Sequence, residues 1–431
     1  MRTINVAVAG LGFVGCETVR LLEDNREKFA RRLGARLSLA AVCDREVLRE
    51  ARKLGLAKSV FRTTDPRQIT KHPGIDIVVE VMGGLEAPRR LVLDALKTGK
   101  HVVTANKRLL SHCWKEIQAA CAQHGARVYF EASVAGGIPI LQALDNGLAA
   151  NSLSAVYGIL NGTTNFILSR AERGLEIDAA LREAQRLGLA EKDPTMDLNG
   201  SDTAQKISVL ASLITGAAIH PGRIAREGID GIEREDILFA REELGRAVRL
   251  LGTLRLQWRP VVRVEAHVYP TLVPLGHPLA AVHDEYNALL VKASSAGDLM
   301  FYGKGAGPGP TASAVVGDIF MLARDLLGAV PAKRPLARPA ALVPIERSIS
   351  PFYLRLHVAD KPGVLAGVTK ALARRGISIA SIHQSDIPRR HGIPIVITTQ
   401  PTTHGQFQRA LREILSLQTV SRRHTVMRML E

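Results

Sequence analysis

The sequence predicts an α/β chain, on three observations. An apolar run over residues 4–9 ends in the glycine turn GLGFVG and passes into the helical rhythm of ETVRLLEDN. Two further apolar runs, IDIVVEVMGG and KHVVTANK, end in glycines or polar residues, as strands buried in a parallel sheet do. Beyond residue 350 the pattern runs strand, helix, strand, strand, helix, strand, the ferredoxin-like order. These observations divide the 431 residues into a Rossmann-type dinucleotide-binding domain over 1–132, a central α/β domain over 133–327, a proline-rich linker over 328–350 and a βαββαβ domain over 351–431. A helix near 311–325 is expected to return to the first domain. A chain of this length exceeds one ordinary domain.

In the first part, strand, glycine turn and helix follow one another as a dinucleotide site requires. Gly10 permits the tight turn, Gly12 lets backbone approach a pyrophosphate, and Gly15 allows the helix to pack closely on the strand, with Phe13 and Val14 between them. The second strand, residues 37–42, ends at Cys43, Asp44 and Arg45. Asp44 suits a ribose hydroxyl and Arg45 a 2′-phosphate, so NAD and NADP both stay open; Arg45 reads equally as a solvated loop residue. PRRLVLDALKTG is helical and stops at Gly99. KHVVTANK then places Thr104 and Lys107 at the carboxyl end of a strand, where ligands lie in open parallel sheets. RVYFEASVAGGIPI closes the domain and delivers Glu131 into a glycine loop.

The central part is most informative between Glu191 and Lys206. SDTAQKISVLASLITG has apolar residues at Ala204, Ile207, Leu210, Ala211 and Ile214, the spacing of a helix with one buried face. Asp202 and Lys206, four apart, share a face near its start, where an acid complements the helix dipole and Asn199 or Ser201 can cap. An exposed helical ion pair is the plain alternative. Against it stand the carboxylates of Glu191, Asp193 and Asp197, crowded at the same end. A lysine among carboxylates is held charged, which suits an acid and a substrate clamp. Asp193 reads best as a loop cap.

Composition excludes several classes. The chain is 46% hydrophobic and 23% charged, as globular proteins are, and no apolar run reaches a membrane span. MRTINVAVAG enters a strand pattern directly, without a signal-peptide layout, and Cys16, Cys43, Cys113 and Cys121 show neither finger nor disulfide spacing; a cytoplasmic protein without membrane partners is expected. The net charge of +16 raises nucleic-acid binding, but the arginines are dispersed and aromatics are 4% of residues, too few for base stacking. No nucleic-acid partner is expected; attraction of anionic small molecules is the simpler reading.

GLGFVG, EVMGG, HVVTANK, FEASVAGGIPI, NGTTNFIL, AEKDPTMDLNGSDTAQK and YGKGAGPGPTASAVVGD occur in the order seen in homoserine dehydrogenases and cover nearly all of residues 1–325. The chain resembles that family. The resemblance implies NAD(P)H-dependent reduction of L-aspartate 4-semialdehyde to L-homoserine, on the way to threonine, methionine and isoleucine, with a central domain that carries substrate residues and dimer contacts. It implies Lys206 as proton donor, Asp202 as its support, Glu191 and Asp197 as substrate ligands, and Gly162 and Thr163 as points where backbone meets substrate. Lys107 is implied at both cofactor and substrate. The implied cofactor set is Gly10, Gly12, Phe13, Val14, Gly15, Asp44, Arg45, Thr104, Lys107 and Gly305. A sodium site is implied at Glu131 with carbonyls near Val134, Gly136 and Ile138. The family usually has proline where Lys304 stands, and Lys304 reads as tolerated.

DKPGVLAGVTKALARRGISIASIHQ resembles the ACT regulatory domains, which bind amino acids near the first strand-helix turn. That implies Asp360, Pro362, Gly363, Leu365 and Ile379 as an effector site, threonine as effector, and a homodimer or homotetramer. The competing reading is an amino-acid-binding sensor with an inactive dehydrogenase half. A semialdehyde dehydrogenase with a cysteine nucleophile is disfavoured, because Cys113 and Cys121 fall in a helix after TANK.

Overall fold

The structure is a computed structural model and describes residues 1–330, 340–384 and 392–431. The chain divides into two compact units. The first comprises Met1–Asn151, Ser208–Arg223 and the chain from Phe301 onward up to residue 330; the second comprises Ser152–Ile207, Ile224–Met300 and the chain from Ala340. The first unit thus extends past residue 132, the boundary expected from sequence, and takes back two later segments.

In the first unit a six-stranded parallel sheet has the order Phe61–Thr63, Arg36–Cys43, Thr3–Ala9, Ile77–Glu80, His101–Thr104, Val128–Tyr129. Strand order reverses between Thr3–Ala9 and Ile77–Glu80, so the crevice beyond their carboxyl ends is the ligand position of a doubly wound sheet. The helix Pro308–Leu327 packs on Phe13–Asp24. Its Val315, Val316, Ile319, Leu322 and Ala323 fall at helical spacing and enter one core with Val6, Val8, Val19 and Leu22.

The three glycines of the turn differ in what holds them. Gly10 has φ 99°, and a Cβ there would lie 2.5 Å from the Val81 carbonyl oxygen. A Cβ at Gly15 would lie 1.8 Å from the Gly10 carbonyl oxygen. At Gly12 an added Cβ would meet nothing, so the backbone there stands open to a ligand.

In the second unit one sheet runs Tyr286–Ala293, Leu153–Ile159, Arg246–Gln257, Val262–Pro274, Val420–Met429, Phe352–Val358, Ile393–Thr399, Ile379–Gln384. The last four strands are fourth, first, third and second of the C-terminal βαββαβ part, the expected ferredoxin-like order. Its helices Val364–Ala373 and His404–Leu415 bury Val368, Leu372, Phe407 and Ile414 with Leu354 and Leu356 of the sheet. Sequence patterning did not indicate that this part continues the central sheet. Thr271 and Leu272 pair in parallel with Arg428 and Met429. Ala340–Leu342, inside the stretch expected as a linker, forms a strand on Val262–Val264. Residues 331–339 of that stretch lie outside the described residues.

A buried ion pair reinforces this junction. Asp236 on the helix Arg234–Glu242 accepts from Arg355 Nε at 2.6 Å and Nη2 at 2.9 Å, and from Tyr353 Oη at 2.8 Å. Thr425 adds a hydroxyl at 3.1 Å, and Glu233 lies 2.9 Å from Arg355 Nη2. Asp236, Tyr353 and Arg355 are all buried. Among the described residues no helix is long and apolar enough to cross a membrane.

Candidate active site

Residues 160–206 build a compact polar cluster in the second unit. Asn161 caps the helix Gly162–Glu172 through its side-chain oxygen, which accepts from Thr164 N at 2.8 Å. Its amide nitrogen donates to Asp197 Oδ1 at 2.7 Å and to Asp202 Oδ2 at 3.0 Å. Lys206 Nζ donates to the same Asp202 oxygen at 2.7 Å and to the Leu160 carbonyl. Asp202 and Lys206 are buried, so the exposed-pair reading fails. They share a helix, Ser201–Thr215, whose first amide is held by Asn199 Oδ1 at 2.9 Å.

The neighbouring loop is fixed by short-range contacts. Thr163 is buried, and its hydroxyl donates to the Leu189 carbonyl at 2.7 Å, anchoring the chain two residues before Glu191. Glu191 itself is exposed. Gly162 has no room for a side chain, since a Cβ would lie 2.6 Å from the Glu285 carbonyl oxygen. Asp193 accepts from Thr195 N at 3.1 Å and from the Thr195 hydroxyl, which together hold its carboxyl below the usual range. It is a turn cap, as the sequence suggested.

At the carboxyl ends of the parallel strands, Asp44 accepts from Leu11 N at 2.7 Å and Glu46 N at 2.9 Å, so it ties the glycine turn to the second strand. Arg45 is exposed, as are Gly12 and Phe13, the latter 87% accessible; Val14 is half-buried. Glu80, fully buried, accepts from the Thr104 hydroxyl at 2.6 Å and from Met82 N at 2.9 Å; burial is the main cause pushing its carboxyl up. Asn106 caps Lys107–His124 through Leu109 N and donates to the Gly84 carbonyl, both at 3.0 Å. Lys107 is thus the first residue of that helix, and its amide donates to the Ala105 carbonyl at 3.1 Å.

The loop after Glu131 turns through two left-handed residues, Ala135 at φ 56° and Gly136 at φ 50°. A Cβ on Gly136 would lie 2.5 Å from the Gly305 carbonyl oxygen, and Gly137 N donates to the Lys304 carbonyl at 3.1 Å. Val134, Gly136 and Ile138 are buried; Lys304 is exposed. Glu131 is buried and its two carboxylate oxygens accept from Leu141 N at 2.7 Å and Gln142 N at 2.8 Å. Its own amide donates to Asp318 Oδ2 at 2.7 Å. Burial raises Glu131 to about 7 and Asp318 to about 8, and among the described residues no cationic side chain counters either shift.

The loop carbonyls and buried carboxyls are hard oxygen donors, so the residues present fit a hard cation. Because both carboxyls are raised, their stabilisation is complete below the unfolded range near pH ~4 and is lost as pH rises through about 7 and 8. In sodium-free buffer the thermal midpoint is therefore expected to fall between pH 5 and 8.5 by roughly 5 °C, and Asp318→Asn to flatten that fall; an unchanged slope in differential scanning would contradict it.

In the C-terminal part, Asp360, Pro362 and Gly363 are exposed before the helix Val364–Ala373, and Gly363 caps it at φ 85°. Leu365 and Ile379 are half-buried and pack against the apolar core.

Family models match in the order of these parts: "Homoserine dehydrogenase, NAD binding domain" over residues 10–131, "Homoserine dehydrogenase" over 139–320 and "ACT domain" over 352–418. The homoserine dehydrogenase of Neisseria gonorrhoeae is 38% identical over 437 residues, covering 100% of this chain and 99% of the relative. The chain belongs to the homoserine dehydrogenase family. The crystal structure of a homoserine dehydrogenase from Thiobacillus denitrificans superposes with a TM-score of 0.92 at 40% identity, covering 100% of this chain and 99% of that one. That of S. aureus gives 0.77 at 32% identity, covering 100% and 99%. The chain is thus an oxidoreductase that uses a nicotinamide dinucleotide and carries an ACT domain. The sensor reading with an inactive dehydrogenase half is not favoured.

Sequence reasoning missed three residues of the homoserine dehydrogenase architecture. Asn161 stood in NGTTNFIL, where an asparagine two residues past a strand and before a helix signals a cap. Glu80 closed an apolar run in EVMGG, an acid that only a buried hydrogen-bond set explains. Asp318 gave no signal, because its partner Glu131 lies 187 residues away.

Proposed function

We propose that Lys206 donates the proton that completes carbonyl reduction in this enzyme. When bound, the nicotinamide cofactor supplies the hydride to the carbonyl carbon of aspartate 4-semialdehyde. Negative charge then grows on the carbonyl oxygen, and the Lys206 ammonium, oriented by Asp202 and the Leu160 carbonyl, stabilises and protonates it. The carrying observation is that this ammonium is buried in a fixed polar frame instead of lying on a solvated helix face. Glu191 and Asp197 offer carboxylates to the amino and hydroxyl groups of homoserine, while Gly162 and Thr163 bring backbone at the start of a helix to the substrate. Lys107, at the carboxyl end of the sheet, serves substrate and cofactor.

The cofactor lies on the open backbone at Gly12, with Gly10, Phe13, Val14 and Gly15 around it, Thr104 beside it and Gly305 closing the far side. Asp44 and Arg45 sit at the ribose, which leaves NAD and NADP as alternative partners for one site. The buried carboxyls of Glu131 and Asp318 support a sodium ion on the carbonyls of Glu131, Val134, Gly136 and Ile138. The enzyme acts in the cytoplasm as a homodimer or homotetramer; the sheet edge Ile379–Gln384 offers backbone groups for pairing between copies.

The ACT domain binds threonine as feedback inhibitor. Asp360 takes the effector ammonium, the start of the helix behind Pro362 and Gly363 takes its carboxylate, and Leu365 and Ile379 shape the wall. L-Threonine is expected to lower the rate of the intact chain, and Asp360→Ala to raise the half-inhibiting concentration about ten-fold, the loss of one charge-assisted bond. A flat threonine response in the wild-type chain would remove this role.

A further inference from the structure

We propose that Asn161 is a positioning residue that sets the separation and charge of the catalytic carboxylates, independently of its capping of a helix. The inference rests on the assignment of Lys206, Asp202 and Asp197 to the reaction. Asn161 is buried, and both ends of its side-chain amide are hydrogen-bonded. The oxygen accepts from Thr164 N at 2.8 Å and from the Thr164 hydroxyl at 3.0 Å. The nitrogen donates one hydrogen to Asp197 at 2.7 Å and the other to Asp202 at 3.0 Å.

The amide has one tenable orientation. Turned over, it would set a carbonyl oxygen against two carboxylates and an NH2 against an amide donor, losing the bonds to Asp197, Asp202 and Thr164 N. Two carboxylates drawn to one nitrogen repel each other, and the two amide hydrogens offset that repulsion by bonding one to each. The adjacent residue completes the frame, since the Leu160 carbonyl accepts from Lys206 Nζ. Two consecutive residues after the strand Leu153–Ile159 therefore hold the proposed acid, its supporting carboxylate and a substrate carboxylate. The acid and its supporting carboxylate share the helix Ser201–Thr215, and the substrate carboxylate belongs to the short helix Thr195–Leu198 before it, so Asn161 spans both helices.

The two ends of the side chain can be tested apart. Asn161→Ser keeps an oxygen fit to cap, and Asn161→Asp keeps the cap while replacing the donor nitrogen with a third negative oxygen. With the full-length enzyme, L-homoserine and a saturating dinucleotide, Asn161→Ser is expected to lower kcat/KM for homoserine about ten- to a hundred-fold, the loss of bonds to charged groups. The KM for the dinucleotide should stay close to wild type, and the variant should remain folded at the assay temperature. Asn161→Asp is expected to move the acid limb of the kcat/KM profile up by about one pH unit, as like charges do.

If Asn161 only capped the helix, both variants would keep wild-type rates and only Asn161→Ala would suffer, through stability. A serine variant within about two-fold of wild type, or an aspartate variant with an unmoved acid limb, overturns the proposal. Lys206→Met run alongside separates the two claims: retained turnover there defeats the assignment of the site, whereas its loss beside an unaffected serine variant defeats the role of Asn161 alone.

Discussion

Lys206→Met is expected to lower kcat by about 10²- to 10⁴-fold, the range of positioned acid-base catalysis. Methionine keeps the apolar stem of the lysine up to Cε but removes the charged nitrogen and its proton. Asp202 would still be held by the Asn161 amide, so the frame survives in part. Dinucleotide affinity, measured by fluorescence titration, should stay within about two-fold, because a residue that acts only as hydride arrives contributes to kcat and not to cofactor binding. A variant with wild-type kcat would remove Lys206 as the acid. A variant that loses cofactor affinity and kcat equally would show instead that the lysine builds the dinucleotide site.

The second large effect concerns stability. Arg355→Met leaves Asp236 buried without its guanidinium and is expected to destabilise the second unit by about 3–5 kcal/mol, as breaking a buried pair does. In a double-mutant cycle, Asp236→Leu added to Arg355→Met should recover most of that loss, since two apolar residues in place of a buried pair are often neutral. Equal denaturation midpoints for wild type and Arg355→Met would contradict the role of this pair. The same contacts bear on regulation. A chain ended near residue 328 would lose Arg355 and Tyr353 from Asp236, and Arg428 and Met429 from the strand Val262–Pro274. Such a truncation would confound loss of inhibition with loss of packing, so threonine response is better read from Asp360→Ala.

What sequence disclosed was whatever has a local period. The glycine turn, the alternating strands and the helix Ser201–Thr215 carry their structural reasons within a few residues, and Asp202 and Lys206 fall one helical turn apart wherever that helix forms. Asp193 was legible as a cap because its partner is Thr195. Asn161 was hidden, because its two carboxylates lie 36 and 41 residues on. The shared sheet was hidden too: the parallel pairing of Thr271 with Arg428 depends on two distant strand ends meeting, and each strand alone reads as complete. Arg355 looked like one polar position in an alternating strand, FYLRLHV, whose residues are in fact all buried.

The central claim is that the cluster of Lys206, Asp202 and Asn161 carries homoserine turnover in this chain. The most direct test is the absorbance of reduced nicotinamide when purified enzyme meets L-homoserine with NAD⁺ or with NADP⁺, beside the Lys206→Met variant. The expected result is homoserine-dependent growth of absorbance with at least one dinucleotide and its near-complete loss in the variant. Folded, dinucleotide-binding wild-type protein that turns over homoserine with neither cofactor, or a variant that matches wild type, would contradict it.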